Sequence, residues 1–358
     1  MKILKYILPA IFLLSSCGND PAITGDSKIA LEWPGYIWFG TDINTRTTNV
    51  TSMNGKVFNV IAFKYGSDWN TFKATGTPAS AAGTRGFVFP TTVSCASDGV
   101  CTYKSSDNTN PVEWDGNMKY SFFAYHPATS SGTVSLATNQ STSGVPAITY
   151  TVPDPESDGY MDAAKIPDIV IASALDVQNS GSGTVGLNFH HALCLFDVEA
   201  RNLKKEDVTI SNLILTITSK RYGNITIPLD GSAATPGGLV QNNFNCRMQP
   251  VSGTGSSVTV PEFGKDNTSY NTRVSYPDYN IAFIPQNPVV IGEDFEGSLS
   301  FAMDGVQISE PQVFTSSKKF EAGKKYSFVI TIASDDSISI TIIESDEWID
   351  KPSTIIFE

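Results

Sequence analysis

The side chains with the most chemistry in this 358-residue chain are five cysteines and three histidines. Cys17 stands apart from the others. It follows two early lysines, Lys2 and Lys5, an apolar run from Ile7 to Leu14, and the small pair Ser15-Ser16. That run is too short to cross a bilayer as a helix, which takes roughly 20 apolar residues, but it has the length of a signal-peptide core. Small residues directly before a cysteine are what lipoprotein signal peptidase requires. Residues 1–17 therefore read as a lipoprotein signal, with the Cys17 thiol diacylated through a thioether. A chain held in this way is anchored to a membrane and does not span it.

The other four cysteines suit an exported protein in which disulfides persist. Cys95 and Cys101 flank Ser97-Asp98-Gly99, a three-residue hairpin loop that sets them opposite each other across two strands, so this pair is the expected disulfide. Cys194 lies in an apolar strand-like run and Cys246 in a polar stretch; a bridge between them and two separate thiols are both compatible with the sequence.

Little else is arranged for catalysis. His190 and His191 are adjacent on a predicted strand, so they point to opposite faces and cannot share one metal; His126, before Pro127, falls at a strand end. Asp154, Glu156 and Asp158 with Gly159 resemble the start of a calcium loop. Lys165, however, stands where such a loop needs a bidentate glutamate, so the stretch reads as an acidic surface loop and no metal site is expected. There is no His-Glu-x-x-His, Gly-x-Ser-x-Gly, phosphate-binding glycine loop or Cys-x-x-Cys, and no cofactor is implied. With a net charge of −12 and no basic run, a nucleic-acid partner is not expected.

The elements that would position these residues are strands. Runs of four to eight β-branched and aromatic residues alternate with Ser, Thr, Gly, Asn and Pro clusters, and helical periodicity is almost absent, which gives an all-β fold. The clearest strands are 28–33, 57–63, 120–125, 169–172, 185–198, 208–218, 280–284, 299–303, 326–332 and 338–343. Tyr326, Phe328, Ile330 and Ile332 alternate as in a half-buried strand. Small and polar tracts at 74–84, 127–143 and 231–238 read as long surface loops. About 340 residues beyond Cys17 leave room for two domains, and Gln178 to Gly183 has the composition of a linker between them.

The order and spacing of several pieces resemble the fimbrillin family of lipoprotein-type pilins, the type V pilus subunits of Bacteroidales, over essentially the whole chain. The pieces are the lipobox ending at Cys17; Ile29, Leu31 and Trp33 followed by Asn44-Thr45-Arg46-Thr47-Thr48; and Phe58 to Phe63. Trp114 with Lys119 to Pro127, Asp168 to Ala172, Val185 to Leu193, and Gly323 to Phe328 complete the set. The resemblance implies two tandem transthyretin-like Greek-key β-sandwiches: a pro-segment at 18–46, an N-terminal sandwich at 47–183 and a C-terminal sandwich at 184–358.

It also implies assembly. An arginine-specific protease cuts after Arg46, the first strand (Ile29, Leu31, Trp33) leaves, and the C-terminal segment of another subunit fills its groove. Arg85 is a second exposed arginine, less well placed. The apolar tail Ile355, Ile356, Phe357 is the candidate donor strand, whereas Ile338 to Ile343 reads as a last core strand. The implied function is that of a non-enzymatic subunit of an outer-membrane, cell-surface pilus used in adhesion, with other pilus subunits, outer-membrane lipid through Cys17 and the protease as partners. The alternative is a surface-exposed glycan-binding lipoprotein that presents aromatics such as Trp38, Trp69, Trp114 and Trp348 to sugars; a glycosidase using paired carboxylates comes third.

Overall fold

A β-branched and aromatic sequence with no long amphipathic helix folds here almost entirely into strands. The computed structural model describes residues 38–43, 53–74, 86–97, 100–103, 113–128, 133–136, 144–179, 183–248, 257–263, 273–275, 281–286 and 294–345. Cys17, Ile29, Leu31, Trp33, Arg46, Arg85, Trp348, Ile355, Ile356 and Phe357 lie outside the described residues.

Among the described residues the first sheet has seven strands. In spatial order they are β1 (Trp38–Ile43), β10 (Thr184–His191), β9 (Val170–Val177), β5 (Lys119–His126), β2 (Val57–Tyr65), β3 (Gly86–Cys95) and β4 (Cys101–Tyr103). β1 runs parallel to β10; every other pair is antiparallel. The near-continuous apolar run of β2 is buried on both faces. Phe58, Val60 and Ala62 enter one core, while Ile61, Phe63 and Tyr65 enter the core that continues into the second half of the chain.

The second sheet is centred on β11 (Cys194–Asn202). Parallel β24 (Lys325–Ile332) and then β25 (Ile338–Ser345) lie on one side, with β19 (Val274–Ser275) and β20 (Ile281–Phe283) on the other. The third is centred on β12 (Val208–Ile217). It carries β21 (Phe295–Met303), β22 (Val306–Gln307) and β23 (Gln312–Ser316) to one side, and β17 (Phe244–Arg247), β18 (Ser257–Val260) and β8 (Met161–Asp162) to the other. Phe196 of β11 is fully buried among the rings of Phe283, Phe320 and Phe328, with centroids 4.8, 5.0 and 5.2 Å away. Two small sheets complete the set: β6 (Val134–Leu136), β7 (Ala147–Thr151), β14 (Asn224–Pro228) and β15 (Thr235–Pro236) in one, β13 (Arg221–Tyr222) and β16 (Leu239–Val240) in the other.

Several expectations need correction. The sequence run 185–198 is two strands, β10 and β11, which bend apart at Ala192-Leu193 and join different sheets. No glycine or proline marks the bend. The bend is held instead by two backbone hydrogen bonds: Ala192 N donates to Ile169 O at 2.8 Å, and Leu193 O accepts from Gly323 N at 2.8 Å. β10 belongs to the first sheet, which therefore runs on through His191. The halves also share hydrogen bonding, since β14 pairs with β7 over five residues.

The tract 127–143 is not wholly loop: it contains β6, whose Val134 is buried beside β7. A short helix, α1 (Trp69–Ala74), follows β2, with Asp68 capping its start through Thr71 N at 2.8 Å. β24 is buried on both faces, not one, since Ser327, Val329 and Thr331 are covered as well as the alternating apolar set.

Candidate strand-exchange edge

Residues 38–43, Trp-Phe-Gly-Thr-Asp-Ile, alternate in the period of a strand, and among the described residues they form an end strand of the first sheet. Six residue pairs join β1 to β10, with Phe39 opposite Val185, Thr41 opposite Leu187 and Ile43 opposite Phe189. Val185, Leu187 and Phe189 are all buried in the core of this sheet.

Phe39 is the anchor of β1. It is 5% exposed, tilted against Tyr103 of β4 at 5.2 Å and edge-on to Phe122 of β5 at 5.7 Å. Tyr103 belongs to the strand at the opposite end of the sheet, so the sheet curls until its two end strands meet around Phe39.

The neighbours of this seam are tied down. Cys95 and Cys101, in register across β3 and β4, form a disulfide with their Cα atoms 3.9 Å apart, and Ala96 N donates to Val100 O just outside it. Trp114 Nε1 donates to Gly183 O at 3.1 Å, immediately before β10, and its ring meets Tyr120 edge-on at 4.9 Å. Gly183 has a φ of 73°, a left-handed conformation that costs glycine little. Asp115 N donates to the Tyr120 hydroxyl at 2.7 Å, and burial raises the pKa of that phenol.

The described strand nearest ahead of Arg46 is thus β1, ending three residues before it. This strand is not among those expected from the sequence. Gly40 and Asp42 fall on the face of β1 opposite Phe39, so the run shows no continuous apolar stretch. A short aromatic run just upstream of Arg46 was the available signal.

At the other end of the chain, β25 pairs with β24 through all eight residues, and its far side is an edge among the described residues. Ile338, Ile340 and Ile342 pack partly buried on the core, as a last core strand does.

The remaining sequence candidates are dispersed. His191 is buried, its Nδ1 2.8 Å from Asp168 Oδ1, while His190 is on the exposed face of β10 with its pKa lowered by partial burial. His126 Nδ1 meets Val57 O at 2.7 Å. In the acidic loop Glu156 is paired with Lys165, and Asp158 with Arg247, which also lies over the Tyr160 ring at 4.5 Å. These carboxylates are matched by cations, and no group of three or more metal-ligating side chains occurs among the described residues. Cys194 and Cys246 are separate, buried thiols whose pKa values burial raises. Trp69 is 1% exposed and Trp114 packs on the first core, so neither presents its ring to solvent as a sugar platform would.

One charged cluster was not anticipated. Asp197 and Glu199 lie buried on the same face of β11, with Lys325 Nζ 2.7 Å from Asp197 and Arg273 Nη1 2.9 Å from Glu199. Burial, then the neighbouring Asp197, raises the Glu199 pKa. Among the described residues no helix is long and apolar enough to cross a membrane.

The fold is shared with a solved structure. A candidate cell adhesion protein from Bacteroides ovatus superposes with a TM-score of 0.51 at 15% identity, over 88% of this chain and 98% of that one. The fimbrial anchor protein Mfa2 from Porphyromonas gingivalis also matches, over 86% of this chain and 97% of that one, at 11% identity and a TM-score of 0.34. No curated protein matches in sequence. Residues 45–346 match the fimbrillin-like family, and the chain belongs to it.

Proposed function

We propose that this protein is a structural subunit of a cell-surface pilus used in adhesion. In this reading the precursor is held in the outer membrane by lipid on Cys17, an arginine-specific protease cuts after Arg46, and subunits join by strand exchange, with no catalytic role for the chain. The observation that carries the reading is β1: a six-residue parallel edge strand, just upstream of Arg46, that fills a core position with Phe39.

An edge strand is the one strand a sheet can lose without breaking its interior ladder. Its loss leaves β10 with unpaired amides and carbonyls beside buried Val185, Leu187 and Phe189. Such an edge is a template for an added strand, whose backbone supplies affinity and whose alternate side chains supply register. The displaced segment on this reading is β1 with the chain before it, including Ile29, Leu31 and Trp33. The donor is the terminal Ile355-Ile356-Phe357 of a neighbouring subunit.

The test is Arg46→Ala in the chain beginning at residue 18. Brief digestion at a low trypsin ratio should convert the parent chain to oligomers that resist gel filtration, and should leave the variant monomeric. Equal assembly by the variant would overturn the assignment of Arg46. Separately, Cys17→Ala should move the protein out of the membrane fraction, and continued membrane association would overturn the lipid anchor.

A further inference from the structure

Backbone pairing to β10 would accept any extended segment, because all segments offer the same amides and carbonyls. Discrimination must come from the side-chain positions beneath the strand, and the one that the structure defines is the position of Phe39. Its ring lies at a seam. Among the described residues β1 and β4 are the two end strands of the sheet, yet Phe39 and Tyr103 meet at 5.2 Å, with Phe122 edge-on at 5.7 Å. The tilted and edge-on orientations are those that the electrostatics of aromatic rings favour. An aliphatic side chain would fill part of the volume and satisfy neither ring.

The wall of this position is also reinforced. Tyr103 is the last residue of a three-residue strand, and when Phe39 withdraws it loses its ring partner on β1. Beyond its backbone ladder to β3, β4 is held by the Cys95–Cys101 disulfide, two residues before Tyr103.

We infer that this seam is an aromatic-selective subsite: the strand that replaces β1 places a phenylalanine, tyrosine or tryptophan where Phe39 sits, opposite Val185, and the Cys95–Cys101 disulfide keeps the Tyr103 wall in place while the groove is empty. The inference rests on the reading that β1 is exchanged, and it adds what the incoming strand must carry. The partner is an extended peptide segment with an aromatic residue among alternating positions.

The probe is a peptide of residues 36–46, which has no lysine or arginine before its last residue and therefore survives trypsin. The chain is digested briefly with excess labelled peptide, separated by gel filtration, and its affinity measured by anisotropy. The native peptide and its Phe39→Tyr and Phe39→Trp forms should bind within a few-fold of one another. Phe39→Leu should bind about tenfold more weakly and Phe39→Ala more weakly still, as loss of ring contacts and buried area implies.

Equal binding of the native and Phe39→Ala peptides would overturn the subsite while leaving exchange intact. Failure of every peptide to bind, with residues 18–46 still associated after cleavage, would overturn exchange itself and the subsite with it. The wall is tested in the chain. Tyr103→Leu, and the double change Cys95→Ser with Cys101→Ser, should each weaken the native peptide about tenfold. Unchanged affinity in both, in variants whose thermal unfolding remains cooperative, would overturn the assigned wall.

Discussion

Replacing Phe39 by alanine should loosen β1 without unfolding the protein. Phe39 is 5% exposed and touches two rings, at 5.2 and 5.7 Å. Burial of a phenylalanine contributes about 1.5–3 kcal/mol, and each ring pair about 0.5 kcal/mol or more beyond that. Because an edge strand relaxes more easily than a central one, about 3 kcal/mol is a fair expectation, equivalent to a factor of about a hundred in the local opening equilibrium. If β1 is a separable unit, the whole factor appears there. Hydrogen exchange read by mass spectrometry should show residues 38–43 exchanging about a hundredfold faster, with the protection of β11 and β24 and the thermal midpoint unchanged. The reasoning is refuted by a loss of protection spread evenly over both sheets, which would make β1 part of the global cooperative core. It is refuted equally by unchanged exchange in β1.

Phe196→Ala, by contrast, removes the ring at the centre of the second core and should cost about 3–5 kcal/mol of global stability, measured by denaturant unfolding. The change Cys95→Ser with Cys101→Ser opens a loop with a sequence separation of 6; loop-closure entropy puts the loss at about 2 kcal/mol, read in the same assay. Glu199 has its folded pKa raised by burial and by Asp197, so its contribution to stability is fully present below its usual value near 4.5 and is lost as the pH rises through the folded value. Glu199→Gln should therefore flatten the fall in stability between mildly acidic and neutral pH, and an unchanged pH profile would contradict that sign. Asp158 has the opposite sense. Its hydrogen bond from Arg247 lowers its pKa, so stability present above about 3.8 is lost as the pH falls below that value, and Arg247→Ala should remove this part of the acid dependence.

The all-β character was legible because aromatic and β-branched runs such as Val57 to Phe63 and Tyr120 to Tyr125 lie between turn clusters, and both became central strands of the first sheet. Where those strands go was less legible. β10 has one exposed face and β11 is buried on both, yet no glycine or proline separates them, which is why 185–198 read as one strand although it bends at Ala192-Leu193. β6 was hidden for another reason: Val134 is a buried residue in a serine- and threonine-rich tract, and its strand exists because β7 pairs with it. The cap of α1 was readable in Asp68 ahead of Trp69, but one six-residue helix leaves too little periodicity to register.

The edge strand β1 was not legible: a six-residue run with Gly40 and Asp42 in its middle did not look apolar enough to be paired. The face of β11 was obscured as well. The burial of Asp197 and Glu199 depends on Lys325 and Arg273, which sequence spacing does not bring near.

The central claim is that cleavage after Arg46 releases β1 and lets subunits polymerise. Intact mass and oligomer size of the purified chain, before and after brief trypsin treatment at a low enzyme ratio, test it most directly. A single cut after Arg46, loss of the N-terminal segment and growth of ladders or filaments are the expected result. A chain that stays uncut, or that is cut at Arg46 and remains a monomer with β1 in place, contradicts it.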